Sequence, residues 1–310
     1  MTKEKITSLL FLALCSLLLA SCYDGEKQDI RSMYYWSTTF RMDSTKQQFL
    51  SDHRVSRLYV RYFDVVLNER NEPMPNATIR FESPMPAETD IIPTIFILND
   101  VMRKSTEGLA DKLLARILQM NETHHIDRVG EIQIDCDWTK QTRDAYFRFL
   151  EELRTKMRAH HLRLSVTIRL HQLSQKAPPA DHGVLMMCNT GDHTDIKCER
   201  PILDVGTALP YLPSLSSYSL PLSTAYPLYR WDIVFRRGRY VGILHYADEL
   251  PVLPGDTIVV RQPEVADILT VKERVTRRRA DANDEVILFD LTTPNIQRFK
   301  YNDYEKMFSD

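Results

Sequence analysis

Between Met33 and Phe308 the chain switches repeatedly between two periodicities. Short runs trade apolar and polar residues at every second position, and longer runs repeat apolar residues every three or four. The first pattern predicts strands and the second helices. Glu131 to Trp138 shows the strand pattern plainly: Glu131, Gln133, Asp135 and Asp137 share one face, while Ile132, Ile134 and Cys136 share the other. Thr142 to His160 is the clearest helix, with Tyr146, Phe149, Leu150, Leu153 and Met157 in one stripe. A strand whose polar face carries up to three carboxylates, followed directly by an amphipathic helix, is not expected at a solvent-facing edge. It reads instead as a parallel strand with one face under a helix and the other looking into a barrel or crevice.

The same reading places strands at Met33–Phe40, Arg57–Asp64, Pro93–Asn99, Val129–Asp137, Leu162–Arg169, Gly183–Asn189, Ser216–Ser223 and Glu285–Asp290. Helices are predicted from Asp43-Ser44 to Leu50, and over Leu109–Met120, Thr142–His160, Pro201–Leu212, Glu264–Arg278 and Thr293–Phe308. Val65 to Ile92, rich in Pro, Asn and Glu, reads as a long loop with a small hairpin around Thr78 to Phe81. Trp231–Phe235 and Tyr240–His245 form a hairpin about Arg237-Gly238. Eight strands, most followed by a helix, predict an α/β chain folded as a (β/α)8 TIM-like barrel, with that hairpin inserted near the seventh strand. An open doubly wound sheet is the alternative. It would call for a Gly-rich first turn, and the chain has only 9 Gly and no such loop.

Composition supports a folded body: of 310 residues, 43% are hydrophobic and 26% charged, with a net charge of -2. There is no basic field for nucleic acid. Arg277, Arg278 and Arg279 close a predicted helix, where positive charge suits the dipole. Ahead of the body, Met1 to Lys5 is basic, Leu9 to Ala20 is an apolar run of signal-peptide length, and Leu19-Ala20-Ser21 precedes Cys22. That pattern resembles the lipobox of bacterial lipoproteins. The resemblance implies removal of residues 1–21, palmitate-type acylation at Cys22, and a polar tether over 22–32 ahead of one barrel domain over 33–310. The expected location is the bacterial cell envelope, lipid-anchored at the outer membrane on its periplasmic or surface face. Cys136, on an apolar face, reads as a small buried hydrophobe, and Cys188 and Cys198 could bridge across a short loop.

In a barrel, function belongs at the carboxyl ends of the strands. The residues expected there are Thr39, Asp64, Asn99, Asp100, Asp135, Asp137, Trp138, Arg169, His171, Asn189, Tyr226 and Asp290, with Trp231 nearby. Carboxylates, amides and aromatics together suit sugars, whose hydroxyls need acceptors and donors and whose apolar faces stack on rings. Neither a metal nor a cofactor is expected, since the spacing of Asp192, His193, Asp195 and Cys198 is irregular and mixes hard and soft ligands. Trp36 lies within a strand and reads as core, whereas Tyr226 and Tyr229 read as rim.

Residues 134–138, Ile-Asp-Cys-Asp-Trp, resemble the end of the fourth-strand motif of chitinase-type glycoside hydrolases of family 18. That family's motif continues into a catalytic glutamate just after the tryptophan; here the position is Thr139, and Ile132-Gln133 stands where the motif has an earlier Asp-Gly. More broadly the chain is similar to a group of bacterial envelope lipoproteins with glycosidase-like barrels. The similarity runs through Tyr34-Tyr35-Trp36, Leu58 to Asp64, Gln133-Ile134-Asp135, Asn189-Thr190-Gly191 and Val241 to Leu244. It implies the fold and the location, with a glycan or other envelope component and the membrane as partners.

Two readings of the aspartates follow. In the first, Asp135 and Asp137, about 6.5 to 7 Å apart along the backbone, form a catalytic pair, with repulsion keeping Asp137 protonated as the acid. Asp64, Asp100 or Asp290 could supply the second carboxylate instead, and His171 a proton relay. In the second, Asp135 pairs with Arg61 or Arg169 and only satisfies buried charge, and the barrel binds glycan or serves a structural role without turnover.

Overall fold

Alternation along each parallel strand sorts its side chains between two environments, and the ring that results is closed. A computed structural model describes residues 29–244 and 250–309. The signal segment, Cys22 and His245 lie outside the described residues. Strands β1 (Ile30–Tyr35), β3 (Arg57–Leu67), β6 (Asp90–Ile97), β7 (Glu131–Asp135), β8 (Arg163–Arg169), β9 (His182–Met186), β10 (Leu222–Pro227) and β14 (Glu285–Phe289) pair in parallel in that order. Closure comes from β1, which pairs with β14 through Ile30↔Glu285 and with β3 through Ser32↔Arg57. This is the (β/α)8 barrel, and an open doubly wound sheet is excluded. Strand β1 begins at Ile30, three residues ahead of the predicted strand start at Met33.

Helix α1 (Ser44–Asp52) follows β1; its cap Asp43 accepts from the Lys46 amide at 2.9 Å. Helices α2 (Leu109–Thr123) and α3 (Arg143–Arg158) follow β6 and β7, α4 (Val205–Ala208) precedes β10, and α5 (Val265–Arg278) precedes β14. On α3 the expected stripe from Tyr146 to Met157 is buried against the outer barrel face, alongside Ile132, Ile134, Leu164, Val166 and Ile168. The opposite parity points inward. Tyr34, Tyr59, Ile92, Val184, Met186, Ala225 and Ile287 form a small interior cluster, and Gln133, Ser165 and Thr167 are buried with them. Across the lumen the Tyr34 hydroxyl donates to Gln133 Oε1 at 2.8 Å.

Several boundaries differ from expectation. The first predicted strand is split into β1 and the two-residue β2 (Thr39–Phe40). The second runs on to Leu67 and folds back antiparallel onto β4 (Pro73–Asn76), so the hairpin precedes Thr78, and β5 (Arg80–Phe81) pairs with β2 instead. The seventh strand begins at Leu222, not Ser216. Leu209–Ser217 is a 3-10 segment containing Pro210 and Pro213, and Pro221, with no N–H to give a ladder, stands just before the strand. The final helix is two pieces, α6 (Thr293–Ile296) and α7 (Tyr301–Phe308). The inserted hairpin, β11 (Trp231–Arg236) and β12 (Arg239–Leu244), gains a third strand, β13 (Asp256–Arg261), antiparallel to β11.

Candidate functional site at the barrel mouth

The aspartate parity of β7 carries Asp135 into the barrel and leaves Asp137 on the rim. Asp135 is 5% exposed, whereas the Asp137 side chain is 56% exposed. Arg169, at the end of the neighbouring β8, bridges them: its Nη2 donates to Asp135 Oδ1 at 3.0 Å and its Nε donates to Asp137 Oδ1. Thr167, one inward position earlier, donates its hydroxyl to Asp135 Oδ1 at 2.5 Å. Burial raises the Asp135 pKa above the usual carboxylate range, with Arg169 pulling it down and Asp137 pushing it up, and the raised direction prevails. Burial lowers the Arg169 pKa, but the two carboxylates outweigh it and hold the guanidinium charged. One guanidinium therefore engages an oxygen of each acid, and neither can meet a substrate oxygen without giving up an ion pair. Thr139, at the position after the tryptophan, is an exposed turn residue whose amide donates to Thr142 Oγ1 at 2.9 Å.

Around this triplet the rim is aromatic and basic. Trp36, Phe289, Tyr229 and Trp231, all half-buried, touch in series, with ring centroids 5.3, 5.8 and 5.4 Å apart. The Arg61 guanidinium lies 5.3 Å from the Trp36 ring centroid and donates through Nε to Asp64 Oδ1 at 2.7 Å. Tyr229 donates to Asn189 Oδ1 at 2.6 Å, and Asn189 is held in the left-handed region at φ 55°. Cys188 lies beside Tyr229, and burial pushes its thiol pKa up, so it is no ready nucleophile. Such a rim offers flat apolar surface and charged hydrogen-bonding groups together.

The expected site residues divide sharply. Asp64, Asp135, Asp137, Arg169, Asn189 and Trp231 all gather at this mouth. Trp138 does not: it is fully buried under α3, stacked on Tyr146 at 6.3 Å and edge-on to Phe147 at 5.4 Å. Tyr226 is also fully buried, its hydroxyl donating to Asn283 Oδ1 at 2.9 Å. Both share the parity of outward-facing neighbours, Ile134 and Leu222, so strand alternation itself carried the signal. Asn99 accepts from Thr142 Oγ1 at 2.6 Å at the start of α3. Asp100 is exposed and pairs with Arg103 at 3.5 Å, and His171 is exposed on the 3-10 turn Leu170–Gln172. Asp290 is buried, takes hydrogen bonds from Asn295 Nδ2 at 2.5 Å and Thr292 Oγ1 at 3.5 Å, and burial pushes its pKa up to about 6. Cys188 and Cys198 are free thiols. His193, from the loop weighed for metal, packs on Trp231 and Tyr240 instead. Among the described residues no group of three or more His, Cys, Asp or Glu is placed to hold an ion. Trp36 and Phe289 are the residues that reading by sequence missed; both continue the inward parity of Tyr34 and Ile287.

No family model matches the chain, and no curated protein sequence does either. Solved structures do match. The Bacillus cereus spore cortex-lytic enzyme SleL is 16% identical with a TM-score of 0.56, covering 90% of this chain and 74% of its own. A chitinase from Chromobacterium violaceum is 11% identical with a TM-score of 0.58, covering 90% and 98%. A class V chitinase from Pseudomonas fluorescens is 12% identical with a TM-score of 0.54, again covering 90% and 98%. At such identities the likeness is one of fold: the chain is a TIM-like (β/α)8 barrel, as these structures are.

Proposed function

We propose that this protein binds a glycan across the barrel mouth and does not hydrolyse it. The observation that carries this reading is the Arg169 bridge, which occupies an oxygen of both Asp135 and Asp137. In most glycoside hydrolase families cleavage uses one protonated and one ionised carboxyl group flanking the bond, and substrate-assisted families still use a protonated carboxyl group. At this mouth the two carboxylates share one cation, and the position that follows Trp138 is a threonine. Binding needs less: ring faces for stacking and charged groups for hydroxyls, which Trp36, Phe289, Tyr229 and Trp231 provide beside Arg61, Asp64 and Asp137. The structural neighbours are chitinases and a cortex-lytic enzyme, so chitin oligosaccharides and envelope glycans are the first ligands to try. The lipobox-like segment supports a second part of the proposal: acylation at Cys22 holds the barrel on a bacterial envelope membrane, expected to be the outer one.

The test is an array of chitin oligosaccharides and envelope glycans probed with the full chain and with Trp231→Ala. Retention of a glycan by the parent chain, weakened on the order of tenfold by loss of one stacking ring, is the expected result. An unchanged retention profile in Trp231→Ala, or none for the parent chain, would contradict it.

A further inference from the structure

The end of the barrel opposite the mouth is not closed flat. A cavity of about 290 Å³ opens there at the starts of β3, β6, β7 and β8, lined by Arg57, Arg128, Arg163, Asp90 and Glu131 around Gly130. The three guanidinium groups are unequally engaged. Arg128 commits Nε and Nη2 to Asp90 at 3.1 and 2.7 Å. Arg163 gives only Nη2 to Glu131, at 2.9 Å. Arg57 reaches only Glu285, through Nη1 at 3.3 Å, and Glu285 already accepts the hydroxyls of Ser32, Tyr59 and Ser223. Most N–H groups of Arg57 and Arg163 therefore have no protein acceptor among the described residues. A guanidinium fork with unspent donors on a cavity wall is built for a multi-oxygen anion.

We propose that this cavity is a second binding site, for a phosphate group, independent of the glycan reading of the mouth. The two wall carboxylates are each already paired, Glu131 with Arg163 and Asp90 with Arg128. Room exists as well: a Cβ built on Gly130 meets nothing within 4 Å. The phosphate has two possible sources, a free phosphate and a lipid headgroup. Chain direction favours the headgroup. Strand β1 starts at this same end, with the Ile30 amide bonded to Asp284 O at 2.9 Å. The eight residues from Cys22 to Asp29 span at most about 27 Å. Acylation at Cys22 would thus hold this end, not the mouth, near the bilayer surface.

The experiment is a calorimetric titration of the full chain, in phosphate-free nonionic detergent, with inorganic phosphate and separately with dihexanoyl-phosphatidylglycerol below its micelle threshold. Saturable binding of either probe, weakened on the order of tenfold by Arg163→Gln, supports the site. Phosphatidylglycerol alone identifies a headgroup, and inorganic phosphate alone a free ligand. Arg163→Gln strips a buried carboxylate of its partner and can unfold the chain, so Gly130→Leu serves as the second variant. It keeps every charge and takes up part of the cavity, and it too should weaken binding on the order of tenfold. No saturable binding by the parent chain, or binding unchanged in folded Gly130→Leu, overturns the proposal.

Discussion

At the scale of single residues, Arg169 decides the character of the mouth. Removing it as Arg169→Met leaves Asp135 buried without its cation, a change expected to cost about 3–5 kcal/mol and to show as a large fall in melting temperature. Asp137→Asn acts on a half-exposed group and is expected to cost under about 1 kcal/mol in the same measurement. Asp290 makes a pH-dependent contribution of its own. Its folded pKa stands near 6 against an ordinary 3.8, so the folded state holds the proton longer than the unfolded chain does. Stability from this group is complete below about pH 4 and is lost as pH rises through about 6, a change of about 3 kcal/mol. Asp290→Asn cannot titrate, so its melting temperature should gain on the parent protein between pH 4 and pH 8, and a constant difference across that range would refute the assignment. Much at this scale could be read from parity alone: Asp135 inward, Cys136 under a helix, Trp138 with the outward set. Sequence left the partner of Asp135 open between Arg61 and Arg169; that Arg169 takes it, and holds Asp137 as well from 32 residues away, follows from β7 and β8 being neighbours.

Among the elements, β3, β6, β7, β8, β9 and β14 fall where alternation and β-branched residues mark them, though β10 does not, and α3 falls where its stripe is unbroken. Elements bounded by proline or by side-chain bonds were not. Leu209–Ser217 winds as a 3-10 segment through Pro210 and Pro213, and the break between α6 and α7 is held by Tyr304. Its hydroxyl donates to Asn295 O at 2.7 Å and accepts from Phe299 N at 3.2 Å. No window of periodicity contains that information. The β7–α3 junction gives a prediction at this scale: Trp138 wedges the strand end against Tyr146 and Phe147, so Trp138→Ala should cost about 3–5 kcal/mol in denaturant unfolding. Glycan retention by the folded variant should be unaffected, in contrast to Trp231→Ala. Equal losses of retention in the two variants would put Trp138 back at the rim.

For the molecule as a whole, the count of strands foretold the ring, and the register of β1 against both β14 and β3 closes it. The two ends of that ring differ in chemistry. Aromatic rings and an arginine-bridged acid pair occupy the mouth, and arginines around a cavity occupy the other end, where β1 starts. Part of the mouth could be assembled from sequence, because barrel topology gathers strand ends such as Asp64, Asp135, Arg169 and Asn189, whereas the arginines of the other end carry no such signal in the strand pattern. The central claim is that the mouth holds a glycan without cutting it, and prolonged incubation of the full chain with whichever glycan it retains, followed by mass-spectrometric analysis of the sugar, tests this most directly. Recovery of the intact glycan, with no shorter product above a no-protein control, is the result expected. Shortened products that disappear with Asp137→Asn would contradict it and make the aspartate pair catalytic.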